Sequence, residues 1–449
     1  MKITKYGILI LFLSLILVLA IMNYGGVSDR SSVSETGQTP PVTGERKFEG
    51  QKITMNLNRS HFVAGRYLAK RFHEETGAVV EFVDTHYSQL DEVILEDFHS
   101  DSPRLDVLMF WYIYLGKMVE EGVLLDLTDF IERHEDRLQT DDFIPSFYQA
   151  YTLYQGRRWG LPFDADIHVL LYNRSILQRH DLAPPETWDD FLEVSRVITE
   201  KERANGVYGS SIMAYPTITT NLSIYMNRLV AHEGQLLDEN NQPNLDSTEA
   251  IAALEELVEQ SRHALPEPTK TDYPVSVNSF LAGQIALQEN WSDLGVTAED
   301  ENKSRIKGEW GMAPIPSVEK GGPHYLAMNA GYPLAISSKA VNPELAKEFL
   351  LFASSPQMGL ELNMIVGASG VDPVRFSTIN SPEYGAFAPI NSAFQRKYLA
   401  QAKPWPTTPE SPELLEALGR HIHLALSGVV TPREAMLNAN REWTKMLAE

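Results

Sequence analysis

The chain has 449 residues, 43% of them hydrophobic and 10% aromatic, so a large core is available and two or three domains, or one large one, fit its length. It carries 60 acidic against 38 basic side chains, a formal net charge of −22; nothing supplies a basic stripe for phosphates, which excludes nucleic acid as a partner. It has no cysteine, which excludes disulfides, thiol nucleophiles, cysteine-ligated metals and a lipid anchor through an N-terminal cysteine.

Lys2 and Lys5 precede an apolar run from Tyr6 to Met22. Positive charge before the run and none directly after it place the N-terminus in the cytoplasm and the rest outside. The run is long for a signal-peptide core and barely long enough to span a bilayer, and Val18-Leu19-Ala20 is a passable cleavage site. Residues 1–22 therefore read as either a signal anchor or a cleaved signal peptide. Residues 23–48, rich in Ser, Thr, Gly and Pro, read as a flexible tether. The working part of the chain is expected outside the cytoplasm.

Lys52 to Leu57 reads as a strand, Asn58 to His61 as a polar loop, and Phe62 to Glu75 as an amphipathic helix that Gly77 stops before a strand over Ala78 to Val83. Leu105 to Trp111 is a further buried run, followed by a helical stretch that Gly122 ends. Gly160-Leu161-Pro162 reads as a tight turn into alternating acidic and apolar residues, Phe163 to Ile167. A strand over Val169 to Tyr172 and a polar break at Asn173-Arg174 follow. Thr187-Trp188-Asp189-Asp190 opens a helix with a capping-box start, and Ser247 to Arg262 is a second clear helix. Ser276 to Gly283 leads through Gln284–Gln288 to Glu289-Asn290-Trp291. Asn342-Pro343-Glu344 starts another helix with Asn as N-cap, and Pro432 to Leu447 closes the chain. Alternating strands and helices predict an α/β fold with a parallel sheet covered on both faces and ligands beyond the C-terminal strand ends. That rule puts Asn58–His61 and Trp111–Tyr114 on one rim.

Several blocks, in order, resemble one family. Glu74-Glu75-Thr76-Gly77 is similar to its first-helix end, Asp106 to Trp111 to a strand ending in a ligand-facing aromatic, and Gly160 to Asp164 to a first interdomain crossing. Phe280 to Ala286 resembles its F-x-x-G-x-x-A piece, and Gly311 to Pro316 a second crossing. Leu334 to Ser337 with Asn342 to Leu350 is the most specific block, closed by Ser354-Ser355-Pro356 where a third crossing would lie. The chain thus resembles the extracellular solute-binding proteins of ABC importers, of the maltose-binding-protein kind. The resemblance implies a two-lobed periplasmic-binding-protein fold of type II, its discontinuous lobes joined by a multi-strand hinge. Lobe 1 would hold 49–162 plus 312–354, and lobe 2 would hold 163–311 plus 355–449. It also implies closure around a carbohydrate, delivery to ABC permease subunits, a monomer, no cofactor or metal, and no chemistry on the solute. The lipid-attachment cysteine common in relatives is missing, so the N-terminal segment would do any anchoring to the membrane.

A sugar needs flat aromatic surfaces for its C–H faces and carboxylates or amides for its hydroxyls. Trp111 ends a strand on the expected rim. Asp164 and Asp166 share a face if their segment is extended, and ligand hydroxyls would compensate their burial. Trp291, with Asn290 beside it at a strand end, resembles the family's stacking tryptophan in the second lobe. Gly331 and Tyr332 suit a cleft wall, Trp405 between two prolines suits an exposed platform, and Arg59 and His61 reach from the first loop. For each, ordinary core or surface packing is the alternative. Two other functions share these features: a ligand-binding sensor without transport, and a membrane-anchored glycoside hydrolase. Asp164 and Asp166 are two residues apart on one segment, an unusual layout for a glycosidase pair, and no zinc-protease, nucleophile-elbow, Walker or dinucleotide motif occurs. His421 and His423 are expected to flank a helical stretch rather than bind metal.

Overall fold

The computed structural model describes residues 47–365 and 370–448. The expected signal anchor or signal peptide, and most of the tether, lie outside the described residues. Among the described residues no helix is long and apolar enough to cross a membrane.

In chain order the strands are β1 (Lys52–Asn58), β2 (Val79–Thr85), β3 (Val107–Met109), β4 (Leu153–Tyr154), β5 (Arg157–Arg158), β6 (Leu161–Asp164), β7 (His168–Asn173), β8 (Tyr208–Ser211), β9 (Ile285–Trp291), β10 (Trp310–Ala313) and β11 (Tyr332–Ile336). One sheet has the order β2-β1-β3-β11-β6 and a second has β10-β7-β9-β8; β4 and β5 form a hairpin. This is the two-lobed α/β arrangement the resemblance implied.

The sheets are mixed, however, and not wholly parallel as the strand–helix alternation suggested. β1 pairs in parallel with β2 and β3, whereas β11 runs antiparallel to β3 and β6. In the second sheet β7 is antiparallel to both β9 and β10. Only residues 165–167 separate β6 from β7, too few for a crossover helix, so the crossing itself sets the direction of β7. β11 likewise enters the first sheet from the second. The Gly160-Leu161-Pro162 turn is absent: Leu161 and Pro162 are already in β6. Gly160 is there for close approach, since a Cβ would stand 2.7 Å from the Leu334 carbonyl oxygen.

Local chemistry explains most elements. Ile53, Met55 and Leu57 alternate into the core from β1, all fully buried. Between them the Asn56 amide grips β3, donating to the Met109 carbonyl at 2.8 Å and accepting its N–H at 2.9 Å. Helix Phe62–Thr76 ends at Gly77 in the left-handed conformation, as glycine allows. Thr187 and Asp190 form the expected capping box on helix Trp188–Glu202. Asn342 departs from expectation: its side chain does not cap helix Pro343–Ala353 but donates to Gln51.

Helix Pro356–Asn363 stays with the first sheet, its Glu361 paired with Arg71 and Tyr67 of helix Phe62–Thr76. Asp372, further on, bonds Ser292 beyond β9 and Gln395 of helix Pro389–Tyr398. Helices Ser411–Leu426 and Pro432–Met446 pack on each other and on helix Thr248–Ser261.

Candidate functional site

β1 runs out at Asn58, whose side chain accepts the Ser60 N–H and starts a 3-10 turn over Arg59–His61. That turn buries His61 completely enough to leave it 1% exposed. Its Nε2 lies 2.7 Å from Oδ2 of Asp164, the last residue of β6. The other oxygen of Asp164 accepts the Asp372 N–H at 2.6 Å. One carboxyl therefore joins the first loop, the first crossing and a late segment of the chain. Tyr332, at the start of β11, meets the His61 ring edge-on at 5.2 Å.

Around this junction lies a cavity of about 70 Å³, lined by Asn58, Ser60, His61, Tyr87, Asp164, Asp166, Thr219, Tyr273, Trp291, Asp293, Ala330, Tyr332 and Gly370. Trp291 ends β9, so its ring comes from the second sheet. Its indole N–H donates to the Asn329 carbonyl, and His168 and Tyr273 stand edge-on to it at 4.6 and 5.4 Å. A buried polar chain backs it. Asn329 donates to Asn227 at 2.7 Å, and Asn227 donates to Glu289 at 2.8 Å. Glu289 pairs with Arg228, whose guanidinium lies over the Trp188 ring. Burial, and then the nearby Arg228 charge, push His168 down to about 3. It is neutral at ordinary pH, and its Nδ1 accepts from Asn227 at 3.0 Å.

The cavity is acidic. Burial, reinforced by Asp164, Asp372 and Asp293, pushes the Asp166 carboxyl well above the usual range. Asp372 is raised by burial and by Asp293. Asp293 is pushed up to about 6 by burial and by Asp164, while His61 opposes the rise. Burial thus favours the protonated carboxyl, which both donates and accepts hydrogen bonds and suits a ligand with polar groups of either kind.

A larger chamber of about 630 Å³ shares Tyr87 and Thr219 with the small cavity and is lined by Trp111, Tyr114, Ile218, Glu416, Arg420 and His423 among others. Trp111 is 5% exposed, and its indole N–H has no partner among the described residues.

The structure brings together His61, Asp164, Asp166, Trp291 and Tyr332, and sets Trp111 in the adjoining chamber. The other candidates lie elsewhere. Arg59 points to solvent and pairs with Asp84 at 3.0 Å. Asn290 is fully buried, alternation along β9 turning it away from its neighbour's face, and its side-chain amide oxygen accepts the Trp291 backbone N–H. Gly331 does not line the cavity; its φ of 114° and the Tyr151 hydroxyl pressed against it explain the glycine. Trp405 is no exposed platform: it is 2% exposed, its ring 5.3 Å from Trp111 and its backbone N–H donating to the Tyr112 hydroxyl at 2.8 Å. His421 and His423 sit within helix Ser411–Leu426 rather than beside it, His421 bonding Glu442 at 2.7 Å. Sequence reasoning missed Tyr87, Thr219, Tyr273, Asp293 and Asp372. Only Asp293 carried a signal, two residues beyond Trp291; the rest are brought in by tertiary contacts alone.

The family model for bacterial extracellular solute-binding proteins matches residues 62–359. A probable amino-acid ABC transporter periplasmic-binding protein of Sinorhizobium fredii is 22% identical, over 87% of this chain and 88% of the relative. A maltotriose-binding protein of Pyrococcus abyssi is 26% identical, over 67% of this chain and 62% of the relative. The fold is similar to that of a solute-binding protein of Agrobacterium radiobacter in complex with ribitol, at a TM-score of 0.79, 24% identity and coverage of 89% of this chain and 99% of that one. With the matched segment spanning more than half its length, this chain belongs to the bacterial extracellular solute-binding protein family.

Proposed function

We propose that this chain binds a carbohydrate or polyol between its two lobes and delivers it to the membrane subunits of an ABC importer. One observation carries this reading. His61, the Asp164/Asp166 pair, Trp291 and Tyr332 come from four separate segments and surround one cavity where strand ends of both sheets meet. Carboxyls beside an aromatic face are the pairing that sugar hydroxyls and C–H faces call for. The names of two relatives add support, one binding maltotriose and the other holding ribitol. Lobe closure would turn on residues 165–167 and 314–331, with Asp164 as a shared latch. Residues 1–22 would hold the protein at the membrane or direct its export, and the working form would be a monomer.

Tryptophan fluorescence and calorimetry against a panel of sugars and polyols test the ligand class. Binding should shift the Trp291 emission, and small-angle scattering should show compaction, since a ligand favours the closed form through its differential affinity. No response to any carbohydrate or polyol would overturn the ligand assignment.

A further inference from the structure

The inner cavity is unbalanced in charge for a neutral ligand. Asp164, Asp166 and Asp293 line it, Asp372 stands just behind Asp164, and no lysine or arginine lines it among the described residues. The one basic lining group, His61, is committed to Asp164. Asp166 is 8% exposed, and the charged groups facing it are the carboxyls of Asp164, Asp372 and Asp293. Aromatic rings of Tyr87, Tyr273, Trp291 and Tyr332 make up much of the remaining wall. Carboxylates combined with aromatic faces are the surroundings that stabilise a desolvated ammonium, which has three donors and no acceptor.

Size points the same way. About 70 Å³ suits a small polar head group, whereas the adjoining chamber of about 630 Å³ holds the body of a ligand. In that chamber Trp111, nineteen-twentieths buried, has an indole N–H without a partner among the described residues, a donor suited to a ligand hydroxyl or ring oxygen.

We propose that the solute is a hydroxylated amine, an amino sugar or aminocyclitol, whose ammonium enters the inner cavity between Asp166 and Asp293 while its hydroxylated body lies in the outer chamber against Trp111. This rests on the cleft being the solute site and specifies the ligand's charge within it.

The test is calorimetry on the full chain at pH 6.5, where a sugar amine is protonated, with the β-1,4-linked glucosamine disaccharide and its neutral counterpart cellobiose as probes. The amine should bind at least tenfold more tightly. A cation beside raised carboxyls also draws them toward ionisation, so amine binding should release protons, read from heats in buffers of different ionisation enthalpy. Asp166→Asn should abolish the preference without lowering the melting temperature of the free protein. Equal or tighter binding of cellobiose, or amine binding without proton release, overturns the proposal while leaving the carbohydrate reading in place. Failure of both probes overturns this proposal, and the wider sugar panel then decides the carbohydrate reading separately.

Discussion

His61 Nε2 and Asp164 Oδ2, 2.7 Å apart and both buried, tie the loop after β1 to the strand by which the chain leaves the first lobe. Replacing His61 with Ala leaves one oxygen of a buried carboxyl without its partner, at a cost of about 1–3 kcal/mol. Urea denaturation should show a lower midpoint at unchanged slope, and solute affinity should fall with it. An unchanged midpoint would mean that water replaces the imidazole freely.

Trp291 is 7% exposed and gives its indole N–H to the Asn329 carbonyl, so truncation to Ala would remove core as well as ligand surface, at about 3–5 kcal/mol. Trp291→Phe separates the two roles. It keeps a flat aromatic face and loses the hydrogen bond and part of the ring volume, at about 1–3 kcal/mol. Calorimetry of the variant should show solute binding retained within roughly tenfold; complete loss would assign the indole N–H a larger part in shaping the cleft.

Asp293 sets a pH dependence with a definite sign. Its folded-state pKa of about 6 stands above its ordinary value, so between about 4 and 6 the folded protein holds a proton that the unfolded chain releases. Its contribution to stability is present below that window and is lost as pH rises through it. Asp164, Asp166, Asp372 and His61 face the same junction, and neutral His168 contributes the opposite slope, so the difference between wild type and Asp293→Asn is the quantity to follow. The melting temperature of the variant should pull ahead of wild type as pH rises from 4 to 6 and keep its lead above 6. A constant difference across pH would refute the assignment.

Gly331 combines φ of 114° with contact against Tyr151, so Gly331→Ala adds backbone strain to overpacking. The loss should be at least about 2 kcal/mol by chemical denaturation. A loss below half that would show that β11 shifts easily against helix Pro145–Thr152.

Much of the architecture was legible in the chain. Alternation in Ile53, Met55 and Leu57, the left-handed stop at Gly77 and the Thr187/Asp190 capping box are local devices, decided by residues a few positions apart. The crossing over Leu161 to Ile167 was visible as acids set beside apolar residues, and its two acids, Asp164 and Asp166, do face one cavity. The direction of β7 and β11 was not legible, because strand orientation depends on where the chain comes from and not on its pattern.

The sequence by itself determined the fold class, the order of the blocks and the aromatic and acidic candidates, since periodicity and capping act at short range. Only the tertiary structure decided which candidates meet. Asp164 reaches His61 across 103 residues and Asp372 across 208, and no local pattern marks such a partner. Burial decided the rest: packing against Trp111 took Trp405 out of solvent, while Arg59 stayed outside because an exposed pairing with Asp84 spares it the desolvation a buried guanidinium would suffer.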